Sequence, residues 1–166
     1  MPLDDQSELF YLVDDNDNVL GSVTRKEAHL AKKNHRSICI LVKNSKNQLI
    51  FQKRSAKKDR HPLKWTLSVS GHVTYLATYL EAAKRELAEE LGISLELTFI
   101  KKVFLKNSKE FCHVYSALTD QTPTNFDKDE ISEIKWVDIK KIEAFIKNNE
   151  LTPAAKQILM DEEIVI

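Results

Sequence analysis

The sequence predicts an α/β fold, a sheet flanked by helices within one domain spanning residues 1–166. Three observations carry that expectation. The length suits one proper hydrophobic core and is short for two. Runs of β-branched and alternating apolar residues recur, separated by Asn, Asp and Ser turn chemistry. Segments with helix-start signals stand between and after those runs, so strands and helices intermix. No repeat, low-complexity stretch or linker divides the chain.

In chain order, FYLVD and NVLGSV flank Asp15-Asn16-Asp17-Asn18, which reads as a hairpin. Thr24 through Glu27 forms a capping box, in which each side chain satisfies the other residue's main-chain N–H, and predicts a short helix through Lys33. SICILVKN and QLIFQKR, joined at Ser45-Lys46-Asn47, predict a second hairpin. A Lys/Arg-rich loop, SAKKDRHPLK, follows and leads into WTLSVSGHV, read as one strand. Thr78 to Glu81 is a second capping box, so a helix starts near Tyr79 and ends at Gly92. LELTFIKKVFL and KEFCHVYSAL are long strands around Asn107-Ser108. EIKWV is a last strand, an amphipathic helix begins near Asp138, and Thr152-Pro153 opens the final helix.

Composition narrows the function classes. Lys plus Arg equals Asp plus Glu at 25 each, so no global field draws the chain to a nucleic acid polymer or an anionic membrane. No apolar run is long enough to span a bilayer, and MPLDDQSELF is acidic rather than signal-like. Cys39 and Cys112 lie in strand-like runs with no CxxC spacing, which suits buried free thiols in a reduced cytoplasm. The chain reads as cytoplasmic, and a neutral overall charge still leaves room for a locally basic pocket.

One helix carries the chemistry. At about 100° per residue, Glu89 and Glu90 fall roughly 60° to one side of Glu86 and 40° to the other. Leu80, Leu87 and Leu91 form an apolar stripe roughly 120° away. Like charges at these spacings repel, so the cluster does not serve helix stability. Hard divalent cations take several oxygen ligands, and three carboxylates on one face suit them. Ala82 and Ala83 leave space above the acids.

Gly71, Arg85-Glu86-Leu87, Glu89-Glu90, Gly92 and Ile93 match the Nudix box, G-x5-E-x7-R-E-U-x-E-E-x-G-U with U aliphatic. The chain therefore resembles the Nudix hydrolase superfamily. VDDNDNVLGSVTRKEAH, NHRS, QLIFQKRS, KWTLSVSGHV, EISEIKWV and LTPAAKQIL resemble the branch of type I isopentenyl diphosphate isomerases and their hydrolase relatives. The likeness runs from about Leu12 to Leu159. It implies an α/β/α sandwich around a mixed β-sheet, and hydrolysis of a nucleoside-diphosphate-like or other organic diphosphate with Mg²⁺ or Mn²⁺. Glu86, Glu89 and Glu90 are then the metal ligands, joined by the Gly71 carbonyl, and Arg85 orients a glutamate by a salt bridge.

The pattern breaks once. The box asks for a glutamate where the chain has Ala77, and Leu76 stands where relatives often carry glycine. The loss points to weakened rather than absent catalysis, because the resemblance implies that this acid mainly partners the box arginine. Glu81 does not replace it, since it points away from the Glu86 face and is suited to capping. A catalytically weak module that binds a nucleotide or a partner is the reading from another class. The isomerase branch uses histidines and glutamates for metal and a cysteine for proton transfer. His29, His35 and His72 resemble those histidines, but the cysteine position is Ser70, whose hydroxyl is too weak an acid for that role. Hydrolase therefore ranks above isomerase.

Arg54 is the candidate phosphate grip, with Arg36, Lys57, Lys58 and Arg60 as alternatives, and Lys53 on the opposite sheet face. His35 and His72 are candidate substrate or metal contacts, whereas His29, on a surface helix, reads as solvated. Glu130 and Glu133, placed in the loop before EIKWV, are further candidate acids, and Glu110 is a weaker one. Trp65 and Trp136 read as core.

Overall fold

The computed structural model describes residues 4–164. Residues 1–3 of the acidic N-terminal stretch, and the last two of the chain, lie outside them. Strands β1 (Leu9–Val13) and β2 (Val19–Thr24) form the first hairpin, and helix α1 (Arg25–Leu30) follows. Asp17, at φ 63°, makes the turn, and the Asp14 carboxylate accepts from the Asn16 and Asn18 main chain. The Thr24–Glu27 capping box forms as expected. The helix stops at Leu30 rather than Lys33, because Lys32 takes a left-handed φ of 47° that α-helix cannot continue.

The main sheet has seven strands. Its path runs through β5 (Trp65–Thr66), β4 (Gln48–Arg54), β3 (His35–Lys43), β8 (Glu110–Leu118) and β7 (Thr98–Leu105). β6 (Val69–His72) pairs with β3, and β9 (Ile131–Asp138) with β4. The β3–β8 pair is parallel and the others antiparallel, so the sheet is mixed. WTLSVSGHV is two strands rather than one. Trp65–Thr66 adds to β4, whereas Val69–His72 crosses to β3, and the turn between them buries Ser68, which bonds Val42 N–H and the Ile50 carbonyl.

Alternation along β3 feeds two cores. Ile38, Ile40 and Val42 pack with Ala82, Ala83, Leu87 and Leu91 of helix α2 (Tyr79–Leu91). Cys39 and Leu41 face α3 (Ile142–Asn148) and α4 (Pro153–Leu159), with Phe51, Leu67, Phe145 and Ile158. A 3₁₀ turn at Ile139–Lys141, capped by Asp138, precedes α3. Removing a fully buried side chain such as Leu87 would cost ~2–5 kcal/mol.

Helix α2 starts on the expected Thr78–Glu81 box and ends at Gly92 in left-handed geometry. Its buried arc differs from the expected one. Leu80 is 41% exposed, while Ala82 and Ala83 are fully buried. Their small side chains let the helix lie close to the sheet, and that turns Glu86 and Glu90 inward. The alanines therefore bring the acids to the sheet rather than leaving open space above them.

Candidate active site

A cavity of about 570 Å³ opens where β3, β6 and β8 end beneath the β1–β2 hairpin and the Ser55–Lys64 loop. Register places its floor. His35 and Ser37 of β3 lie opposite Glu110 and Cys112 of β8, and Ser37 and Cys39 lie opposite His72 and Ser70 of β6. These residues share one sheet face, and α1 adds His29.

His29, His35, His72 and Glu110 offer ligand atoms that all lie within 4.8 Å of one another. Phe10 covers the group, stacking on His72 at 4.3 Å and on His35 at 5.5 Å between ring centroids. His35 Nδ1 lies 2.7 Å from the Lys33 carbonyl, which can only accept, so the Nδ1 proton is fixed there. Its Nε2 is buried, without a hydrogen-bond partner, and 3.6 Å from a Glu110 oxygen. A buried imidazole nitrogen facing a carboxylate oxygen fits a cation between them. Imidazoles with one carboxylate suit a transition-type divalent ion such as Mn²⁺ better than Mg²⁺. His72 is disposed differently, because Arg25 donates to its Nδ1 at 3.4 Å and its Nε2 stands 3.3 Å from that of His29 and 3.5 Å from Glu110.

The electrostatics follow from burial. Burial pushes His29 down to about 3 and His72 down to about 4, with the neighbouring imidazoles adding to the effect. Burial alone would raise Glu110, but the adjoining His35 and His72 side chains hold it well below the usual carboxylate range. Arg60, 3.7 Å away, supplies a cation to the same carboxylate.

The acids of α2 line the same cavity but stand outside this cluster. Glu86 lies over Gly71, where an added Cβ would sit 2.3 Å from its carboxyl carbon. Burial pushes Glu86 up to about 7 against the pull of Arg85, whose Nη2 is 3.0 Å away. Glu90 is buried and accepts from the Gln52 side-chain amide at 2.6 Å, and burial together with Glu86 raises it well above its ordinary value. Glu89 points outward, its side chain 62% exposed.

The NUDIX domain description matches residues 33–161. The chain belongs to the NUDIX family. A protein named isopentenyl-diphosphate Delta-isomerase 2, from Photorhabdus laumondii, is 35% identical over 85% of this chain and 83% of its own length. A prenyl-diphosphate phosphatase of Methanosarcina mazei is 29% identical over 87% of this chain and 89% of its own. The crystal structure of DR0079 from Deinococcus radiodurans superposes with a TM-score of 0.80 at 29% identity, over 90% of this chain and 96% of that one. The expected branch is thus the one found, and the sandwich around a mixed sheet is the fold of the family.

In this NUDIX domain Arg85 has partners despite Ala77. Its Nη1 donates to Thr74 Oγ1 at 2.9 Å and its Nη2 to the His72 carbonyl at 3.2 Å, besides the pair with Glu86. Ala77 packs against the α2 core. Leu76, 79% exposed at φ 75°, holds the left-handed conformation that glycine adopts without strain.

The remaining candidates divide. Arg54 lines the cavity, its Nε donating to the Arg60 carbonyl at 3.0 Å. Glu130 also lines it and pairs with Lys58 at 2.7 Å. Glu133 does not. It sits within β9 rather than in the loop before it, exposed and outside the cavity lining, because the strand begins at Ile131. Arg36 is engaged by Asp17 at 2.7 Å in the first hairpin, and Lys57 is exposed beside Asp129. His29 is not a solvated surface residue, since α1 turns it into the histidine cluster. Arg25 carries no sequence signal beyond its place inside a capping box. It is buried among Asp4, Glu8 and Asp59.

No helix among the described residues is long and apolar enough to cross a membrane.

Proposed function

We propose that this chain hydrolyses an organic diphosphate whose organic group is aliphatic, using Mg²⁺ or Mn²⁺. The observation that carries the reading is the make-up of the cavity beside α2. Glu86, Glu89 and Glu90 stand in its wall with Arg54 and Arg60. Leu67, Leu105, Ala154, Ala155 and Ile158 extend it toward α4. Among the described residues no Phe, Tyr or Trp lines it, and its apolar lining is aliphatic, which favours an aliphatic chain over a nucleoside. The relative named prenyl-diphosphate phosphatase supports that choice.

In this reading water attacks phosphorus and the bridging P–O bond breaks, with the leaving oxygen carrying its electron pair to the departing phosphate. A divalent ion, when bound, neutralises phosphate oxygens and acidifies water. Glu86, Glu89 and Glu90 would hold it on the helix, with the Gly71 carbonyl adjacent, and His29, His35, His72 and Glu110 would hold a second. Arg85 fixes the Glu86 carboxylate. Arg54 grips a phosphate, and Arg60 lies within reach of the same anion.

The isomerase names among the relatives favour a second reading, migration of a carbon–carbon double bond. Against it stand Ser70 and Cys112, the latter's thiol pushed up to about 12 by burial, which are poor proton donors and acceptors for carbon. Incubation of alkyl, prenyl and nucleoside diphosphates with Mg²⁺ or Mn²⁺, with products resolved by mass, tests the reading. Phosphate release from the aliphatic substrates is the expected outcome. An isomerised diphosphate without phosphate release would establish the second reading, and metal-dependent binding without any product would make the chain a binding module.

A further inference from the structure

The segment Asp4–Glu8 crosses the mouth of the cavity and puts a carboxylate inside it. Asp4 is buried, and both its oxygens are engaged. Oδ1 accepts from Arg25 Nη2 at 3.2 Å and from the Lys58 ammonium, and Oδ2 accepts from the Asp59 main-chain N–H at 3.0 Å. A guanidinium, an ammonium and a peptide N–H converging on one anion make the donor set a phosphate group takes. Asp59 also pairs with Arg25, and Glu130 with Lys58, so each cation keeps one acidic partner outside the segment.

The attachment of the segment is almost wholly polar. Gln6 donates to the Asp4 carbonyl and to Asp59, Asp5 caps Ser7, and the Gln6 carbonyl accepts from Lys26 N–H at 3.2 Å. Asp5, Gln6 and Ser7 are exposed, and no apolar side chain from Asp4 to Glu8 enters a core. A segment held by ion pairs with little apolar burial opens at low free-energy cost.

We propose that Asp4–Glu8 is a self-inhibitory strap: its Asp4 carboxylate fills the seat between Arg25, Lys58 and Asp59 N–H that a phosphate of the substrate takes once the strap lifts. The proposal rests on the diphosphate reading above. The strap is an intramolecular competitor of the same charge sign as the substrate. The apparent dissociation constant of a diphosphate is then the intrinsic one divided by the fraction of molecules with the strap open.

The test uses the full-length protein and imidodiphosphate, the nitrogen-bridged analogue of pyrophosphate that resists hydrolysis, so binding is read without turnover. Calorimetry should show Asp4→Asn binding it about fivefold or more tightly than the parent, as expected if the open fraction is about 0.2 or less. Hydrogen exchange on the unmodified protein supplies an independent reading should the variant fail to fold. The Lys26 amide, protected by the Gln6 carbonyl, should exchange faster when imidodiphosphate is bound. Equal or weaker binding by a folded Asp4→Asn, unchanged or slower exchange at Lys26, or no binding to either protein would overturn the strap. If the strap results hold while no diphosphate is hydrolysed in the separate substrate panel, the hydrolase reading fails alone.

Discussion

Gly71 is where a single atom matters most. Its hydrogen faces the Glu86 carboxyl group, and a methyl there would sit 2.5 Å from Oε1. Glu86 is the end of a flexible side chain, so Gly71→Ala should fold, with a stability loss under ~1 kcal/mol, while swinging the carboxylate away from its pair with Arg85. The expected outcome is a drop of tenfold or more in kcat for diphosphate hydrolysis, roughly the loss that follows a displaced metal or catalytic group, with a nearly unchanged denaturation midpoint. Equal activity would show that the contact does not position Glu86. The glycine was legible in the sequence as the start of the box, but what it makes room for was not, because that depends on a helix eight residues further on. Arg85 teaches the converse. The missing glutamate at Ala77 read as a lost partner, yet Thr74 and the His72 carbonyl take up its donors. Neither has a spacing rule that sequence could supply.

At the scale of elements, α2 and the β3–β6–β8 floor carry two different sets of candidate ligands, the second reaching the same cavity through His72 and Glu110. Helical periodicity made the first set readable, since 100° steps put Glu86, Glu89 and Glu90 on one side. The second joins a helix and three strands, so His29, His35, His72 and Glu110 meet only through register. The two sets should respond separately to substitution. In calorimetric titrations with Mn²⁺, His35→Asn is expected to abolish or weaken by tenfold or more the event belonging to the histidine set, leaving the other in place. Glu90→Gln should do the reverse. A single event lost with either substitution would mean that the sets hold one shared ion.

Across the whole molecule, buried titratable groups pull stability in opposite directions with pH. His29 and His72, depressed to about 3 and about 4, bind fewer protons folded than unfolded, as does His113, which burial holds at about 4. They contribute stability that grows as pH rises from about 4 through the ordinary histidine value of about 6.5. Glu86, raised to about 7, acts oppositely: its contribution is full below about 4.5 and is lost as pH rises through about 7. Glu90 is raised for the same reason and adds to that side. With three histidines against two carboxyls, metal-free protein should gain stability up to about pH 6.5 and lose some above it. Urea midpoints measured from pH 5 to 8 in chelator check this, and a monotonic rise through pH 8 would refute it. Saturating Mn²⁺ should flatten the upper fall, because a bound cation favours the ionised carboxylates.

The sequence by itself determined most of the elements, the family and the acidic helix. Those rest on local rules: alternation for strands, capping boxes at Thr24 and Thr78, a left-handed stop at Gly92, and a motif of fixed spacing. Only the tertiary structure decided that Ala82 and Ala83 are core and that Leu80 is not. It also decided that Glu133 lies in a strand facing away, that His29 is a cluster residue, and that Asp4 reaches Arg25 and Lys58 across the cavity mouth. In each case the deciding contact joins residues far apart in the chain, and its geometry is set by strand register and helix packing rather than by any local preference.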